Sequence, residues 1–185
     1  MNHLGTVRLE TDRLVLRPFT TKDAVPMFRN WAGDPMVTRY LTWPNHSDIS
    51  VTAKVIESWI KQYRDSNYYQ WAIELKSIAE PIGSISGVKI DESDRSVEIG
   101  YCIGQSWWGQ GLVAESVRAL MAFFFERVGV HQVKACHHPD NPNSGRVMQK
   151  CGLSYDDTRS KEENGIELRW YSLSREEYMN KKVSG

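Results

Sequence analysis

The stretch Ser106-Trp107-Trp108-Gly109-Gln110-Gly111-Leu112-Val113-Ala114-Glu115 decides how this chain folds. Two tryptophans run into two glycines. An apolar stripe follows at helical spacing, through Val113, Val117, Leu120, Met121, Phe124 and Val128, and predicts a helix from Leu112 to Val128. Ser96 to Ile103, just upstream, alternates as a strand. The glycines between strand and helix admit two readings. One is a tight connection that needs positive φ. The other is a cradle, in which an anion reaches the unpaired N–H groups and partial positive charge of a helix N-terminus.

Working outward, Arg8 to Arg17 reads as a first strand around Leu9, Leu14 and Leu16, ended by Pro18. Thr20 to Asp23 offers capping chemistry for a short helix from Ala24 to Trp31. Asp34-Pro35 opens another short helix to about Leu41, and Ile49 to Tyr63 carries a helical stripe. Tyr69–Leu75, Ile82–Ile90 and Ser96–Ile103 are strands with short polar connections, which predicts an antiparallel meander. After the Leu112–Val128 helix, His131–His137 returns as a strand parallel to the one before it. Asn141–Cys151 is a helix closed by Gly152. Ser154–Thr158 and Ile166–Leu173 are strands joined across Asn164-Gly165, a hairpin signal. The order predicts one mixed α/β domain over residues 1–185, without repeats or linkers.

Composition narrows the function. Lys plus Arg is 23 and Asp plus Glu is 23, so no net basic field favours nucleic acid. The three cysteines, Cys102, Cys136 and Cys151, are scattered and suit a reducing compartment. The opening residues have no apolar signal core, and the longest apolar run, Ala119–Phe125, is too short to span a bilayer. The expectation is a cytoplasmic chain with no membrane and no direct nucleic-acid partner. Cys136-His137-His138 puts at most two ligands on one strand face, too few for a metal site.

Gly109-x-Gly111-x-x-Ala114 also fits a dinucleotide fingerprint, which would make the chain a nicotinamide-dependent oxidoreductase. Context opposes that: a meander precedes the turn, and the next strand ends in His137-His138-Pro139 rather than an acid. A Walker loop is excluded because no Gly-Lys-Ser/Thr follows.

Glu98-Ile99-Gly100-Tyr101-Cys102-Ile103 followed by Trp108-Gly109-Gln110-Gly111-Leu112-Val113-Ala114-Glu115 resembles the central coenzyme A motif of the GNAT N-acetyltransferases. Asn141-Pro142-Asn143-Ser144, running on to Lys150-Cys151-Gly152-Leu153, is similar to their second motif. Glu10-Thr11-Asp12-Arg13-Leu14-Val15-Leu16-Arg17-Pro18 resembles the branch that acetylates ribosomal-protein N-termini and its small-molecule relatives. The resemblance covers about Arg8 to Leu173. It implies the GNAT acyl-CoA N-acyltransferase fold, a mixed, mostly antiparallel sheet flanked by helices. That sheet is splayed between its fourth and fifth strands, here Ser96–Ile103 and His131–His137. It implies acetyl-CoA in the gap and no metal, with the pantetheine pairing along Tyr101, Cys102 and Ile103. The pyrophosphate would then rest on amides of Trp108, Gly109, Gln110, Gly111, Leu112, Val113 and Ala114. The acceptor would be a primary amine, on a protein N-terminus or a small molecule, and homodimers are frequent in the family.

Individual residues carry competing roles. Asn141, ahead of Pro142, is a helix N-cap able to accept from the Ser144 amide, and the resemblance makes it a pantetheine contact. Ser144 is a plain first-turn hydroxyl or, by resemblance, the proton donor to the leaving sulfur. Glu98 is a solvated strand carboxylate or the base that takes the amine proton. Trp43 and His46 fall where the family walls its acceptor site. Ser106 and Leu153 depart mildly from the motifs. Met148 departs more: many members place a tyrosine there as general acid, so a non-catalytic coenzyme A sensor is a rival.

Overall fold

The structure is a computed structural model, and it describes residues 1–158, 162–163 and 165–184. An eight-stranded sheet runs in the order β1-β2-β3-β4-β5-β6-β10-β7. Its members are β1 (Leu9–Glu10), β2 (Leu14–Arg17), β3 (Tyr69–Leu75), β4 (Glu80–Asp91), β5 (Ser96–Ile103), β6 (Gln132–His137), β7 (Ser154–Tyr155) and β10 (Arg169–Ser174). The meander β3-β4-β5 is antiparallel, as its short polar turns predict. Every neighbouring pair is antiparallel except β5 with β6.

That pair decides the architecture. The parallel register couples only Ser96, Val97 and Glu98 to Gln132, Val133 and Lys134. Both strands continue beyond it, β5 to Ile103 and β6 to His137, without pairing to each other. The sheet is therefore zipped at one end of the seam and open at the other.

Both faces of the sheet are covered, which is why β3 is buried continuously from Tyr69 to Ile73 rather than alternating. One face meets α4 (Leu112–Ala122), which runs on through a wider-turned stretch, Phe123–Val128, to Gly129 at φ +80°. There Trp71 stacks on Tyr69 at 5.8 Å and meets Phe123 edge-on at 5.7 Å. The other face meets α1 (Ala24–Met27), its wide-turned continuation Phe28–Ala32, and α3 (Ile49–Gln62), around Phe19, Trp31, Ile56 and Ala72. Truncating Phe19 or Trp31 to alanine costs ~3–5 kcal/mol. Helices α2 (Pro35–Thr38), α5 (Pro142–Lys150) and α6 (Arg175–Ser184) complete the set. Among the described residues no helix is long and apolar enough to cross a membrane.

Three expectations are corrected and one helix is added. Arg8–Arg17 is not one strand: Leu9 pairs with Leu16 and Glu10 with Val15 across a turn at Thr11-Asp12-Arg13. The Thr11 amide donates to the Leu14 carbonyl, and the Leu14 amide donates to Thr11 Oγ1, which closes the turn. Ile166–Leu173 is interrupted at Leu168, leaving β9 (Ile166–Glu167) apart from β10. Ser154–Thr158 shortens to Ser154–Tyr155, which pair with Ser172 and Tyr171 of β10, and one further bond, Asp156 N–H to the Trp170 carbonyl, follows the strand's end. Helix α6 was not expected, although Ser174 and Glu177 form a reciprocal cap. The Glu177 amide donates to Ser174 Oγ at 3.2 Å, and the Ser174 amide donates to Glu177 Oε2 at 2.8 Å. At the predicted hairpin, Glu163 of β8 (Glu162–Glu163) lies opposite Ile166 and Gly165 has φ +78°. Its Asn164 lies outside the described residues.

Candidate active site

A cleft of about 550 Å³ opens where β5 and β6 part. Tyr101, Cys102 and Ile103 form its floor. The glycine turn and the first turn of α4 form one end, and Asn141 to Ser144 with the exposed side of α5 form the opposite wall. The segment Met36–Leu41 closes over the top.

The turn is built for bare backbone. Gly109 has φ +74° and Gly111 φ +77°, both in the left-handed region. A Cβ on Gly109 would meet nothing within 4 Å, so packing does not explain that glycine. Helix α4 begins at Gly111 without a side-chain cap, and its first internal bond is Glu115 N–H to Gly111 O. The amides of Leu112, Val113 and Ala114 thus precede the helical ladder and line the cleft. Braces hold the turn from outside. Trp108 Nε1 donates to the Ile103 carbonyl at 2.8 Å, and Gln110 Nε2 donates to the Ser106 carbonyl at 2.9 Å.

The opposite wall corrects one expectation. Asn141 does not cap α5 with its side chain; its backbone carbonyl accepts the Ser144 amide at 3.1 Å. The carboxamide is left on the cleft wall. The Tyr101 hydroxyl lies 3.0 Å from both the carbonyl oxygen and Oγ of Ser144. Burial pushes the Tyr101 hydroxyl well above the usual tyrosine range, with the Ser144 contact opposing, so it holds its proton at neutral pH. Burial likewise raises the Cys102 thiol, against its contact with Ser84.

Of the residues singled out from sequence, Tyr101, Cys102, Ile103, Trp108, Gly109, Gly111, Leu112, Val113, Ala114, Asn141 and Ser144 share this one cleft. Gln110 does not line it, because its side chain folds back on Ser106. Glu98 stands at the last paired rung of the seam, with Cys136 Sγ 3.9 Å from its Oε1. Trp43 and His46 lie outside the lining. Their rings pack together at 5.3 Å, and His46 Nδ1 is 2.8 Å from Thr52 Oγ1. Burial lowers the His46 imidazole below its ordinary range. Met148 is 2% exposed and sits in the core, away from the cleft. Sequence reasoning missed the Tyr101 hydroxyl, Arg39 and Tyr40 of the roof, and Arg146 and Lys150 on the wall. The last two stand four apart on a helix beside the Asn141 motif, a spacing that puts both on one face.

A sheet unzipped halfway along one parallel seam, with an uncapped helix N-terminus at its mouth, defines a class of transferases that grip a long phosphate-bearing carrier. The chain belongs to the GNAT acetyltransferase family, whose model, described as Acetyltransferase (GNAT) domain, matches residues 13–154. It is accordingly an acetyl-CoA-dependent N-acetyltransferase. The uncharacterised N-acetyltransferase YoaA of Bacillus subtilis is 32% identical over 78% of this chain and 81% of its own length. The ribosomal protein uS5-alanine N-acetyltransferase of Escherichia coli is 27% identical over 82% of this chain and 80% of its own. Among solved structures, RimL, a ribosomal L7/L12 α-N-protein acetyltransferase in complex with coenzyme A, superposes with a TM-score of 0.79. It is 19% identical and covers 91% of this chain and 98% of its own.

Proposed function

We propose that the chain works as one catalytic domain that moves an acetyl group from acetyl-CoA directly to a primary amine. The observation that carries this reading is the seam: β5 keeps a strand's course from Ile99 to Ile103 with no strand paired on its β6 side. A pantetheine arm lying there would satisfy backbone groups that a closed sheet would pair internally. The pyrophosphate would take the amides of Gly111 to Ala114, and the Asn141 carboxamide would meet the arm from the far wall. The bound thioester supplies an activated acetyl group.

The chain's own residues would manage two protons. An attacking amine must be neutral, and an α-amine near pKa ~8 requires less help than a lysine near ~10.4. Glu98, on the last paired rung where the seam opens, would receive the proton that nitrogen loses. As the C–N bond forms and the C–S bond breaks, the sulfur needs a proton. Met148 cannot give one. Ser144 Oγ can, regaining its own from solvent, while the Tyr101 hydroxyl 3.0 Å behind it keeps its proton and holds the serine in place. The acceptor is an α-amine of a protein N-terminus or a small-molecule amine. The relatives named for ribosomal proteins support the first.

The test is thiol release from acetyl-CoA across N-terminal peptides, polyamines, amino acids and aminoglycosides. Ser144→Ala and Tyr101→Phe should each lower kcat about 10–100-fold with little change in KM for acetyl-CoA. Glu98→Gln should lower kcat with little change in KM for acetyl-CoA. Wild-type kcat in all three variants would remove these chemical roles. Binding without thiol release over the whole panel would favour the sensor, and thermal stabilisation by NAD(H) alone would end the acetyl-CoA reading.

A further inference from the structure

The sequence motif Glu10-Thr11-Asp12-Arg13 lies far from the acyl-transfer chemistry, yet the structure brings its turn onto the glycine turn. Glu115, in the first turn of α4, accepts from Thr11 Oγ1 at 2.5 Å, from the Arg13 amide at 3.0 Å and from Arg13 Nε at 2.8 Å. Arg13 Nη2 completes the ion pair at 2.7 Å. With the guanidinium fixed in this way, Nη1 donates to the Gln110 carbonyl at 3.0 Å. Arg13 Nη2 also lies 3.7 Å from where a Cβ of Gly111 would stand, so the arginine packs against the outer side of the turn.

The Gln110 carbonyl belongs to the same peptide unit as the Gly111 N–H. That peptide is trans, so the two point in opposite directions. Gly111 lines the cleft and Gln110 does not. A carbonyl held outward therefore aims the Gly111 N–H inward. The hold matters because the plane turns about Gln110 ψ and Gly111 φ, and Gly111, lacking a Cβ, offers that rotation little resistance. The Gln110 side chain braces its own end on Ser106, but it does not reach that carbonyl.

We propose that Arg13, aligned by Glu115, is a positioning residue for the cofactor's pyrophosphate: it locks the Gln110–Gly111 peptide so that the Gly111 amide faces the phosphate oxygens. The inference rests on the acetyl-CoA reading of the cleft. Arg13 touches no reacting atom, so its effect is confined to ligands that carry the pyrophosphate.

The experiment is calorimetric binding of coenzyme A and of pantetheine, which lacks the nucleotide and pyrophosphate, to the full chain and to Arg13→Ala and Arg13→Lys. One mis-aimed charge-assisted hydrogen bond corresponds to about a 10-fold loss of affinity. Arg13→Ala should weaken coenzyme A by about that factor and leave pantetheine unchanged. Arg13→Lys keeps the charge but not the fork that spans Glu115 and Gln110, so it should lose most of the same factor. If Arg13→Ala proves unfolded by circular dichroism, Arg13→Lys supplies the comparison. Equal weakening of both ligands, or no weakening of coenzyme A, overturns the clamp. A wild-type chain that shows no preference for coenzyme A over pantetheine overturns the cofactor reading itself, a result visible before any variant is made.

Discussion

Replacing Gly109 with alanine separates a glycine kept for a ligand from one kept for the fold. Gly109 at φ +74° and Gly129 at φ +80° are matched in backbone conformation. Neither is sterically crowded. A Cβ on Gly109 meets nothing within 4 Å, and one on Gly129 meets only the tips of Arg175 and Arg95 at 3.6 Å, an ordinary contact. Left-handed strain is thus the shared cost of Gly→Ala at both, ~1 kcal/mol, which in a chain of this length lowers Tm by about 2–4 °C. The two differ in what lies in front of the new methyl group. At Gly109 it enters the cleft; at Gly129 it sits at the far end of α4. A methyl that keeps a phosphate oxygen off one amide forfeits ~1.5–3 kcal/mol, about 10–100-fold in affinity. Differential scanning calorimetry and titration with coenzyme A, run on both variants, make the comparison. Similar falls in Tm with a selective loss of affinity in Gly109→Ala are expected. Equal affinities in the two variants would mean that Gly109 serves only the turn.

Two further predictions concern stability. Arg17 grips Asp23 through two parallel bonds of 2.8 and 2.9 Å, and the Thr20 amide adds another at 2.7 Å. Asp23→Ala leaves a half-buried guanidinium short of a partner and should cost about 3 kcal/mol in urea denaturation. Burial alone would raise the Asp23 carboxyl, but the bonds from Arg17 and Thr20 outweigh it and hold the group below its ordinary 3.8. Its contribution is therefore complete above that value and lost as pH falls through the lower folded value, so the Asp23→Ala penalty should shrink in that acid window. A penalty constant down to pH 2 would contradict this assignment. Ser174→Ala removes the hydroxyl that caps α6 and should cost about 1 kcal/mol, with faster amide exchange confined to the first turn of that helix. Unchanged exchange there would show that packing alone fixes the helix start.

The glycine turn and α4 were legible because local chemistry and fold agree there, whereas the open seam was expected only through the family resemblance. Positive φ demands glycine at 109 and 111, and the stripe from Val113 to Val128 has only one face to bury. The β1–β2 hairpin left only a slip of phase in the sequence, Leu9 and Leu14 standing an odd five apart, and the bonds that close and brace its turn, Thr11 to Leu14 and Thr11 to Glu115, are not written in the spacing. The pairing of Tyr101 with Ser144 is equally non-local: alternation gives the tyrosine's face, not the residue waiting on it. Asn141 misled in the other direction, since its residue type suits a cap that its own backbone carbonyl already provides. The roof is formed by Met36–Leu41 rather than Trp43 and His46 because the latter pair turns inward beside Thr52. Helix α6 had a readable signature in Ser174-Arg175-Glu176-Glu177.

The three-rung ladder between β5 and β6 also has a thermodynamic side. Strand edges inside a globule are normally mated to each other; here one edge on each side of the seam stays single. On the acetyl-CoA reading, the cosubstrate is the absent rung-maker, and the loaded protein is the better-knit one. Occupancy at a hundred times Kd would then add ~2.7 kcal/mol to unfolding. The cell's supply of acetyl-CoA would thereby set how long the chain survives as well as how fast it turns over.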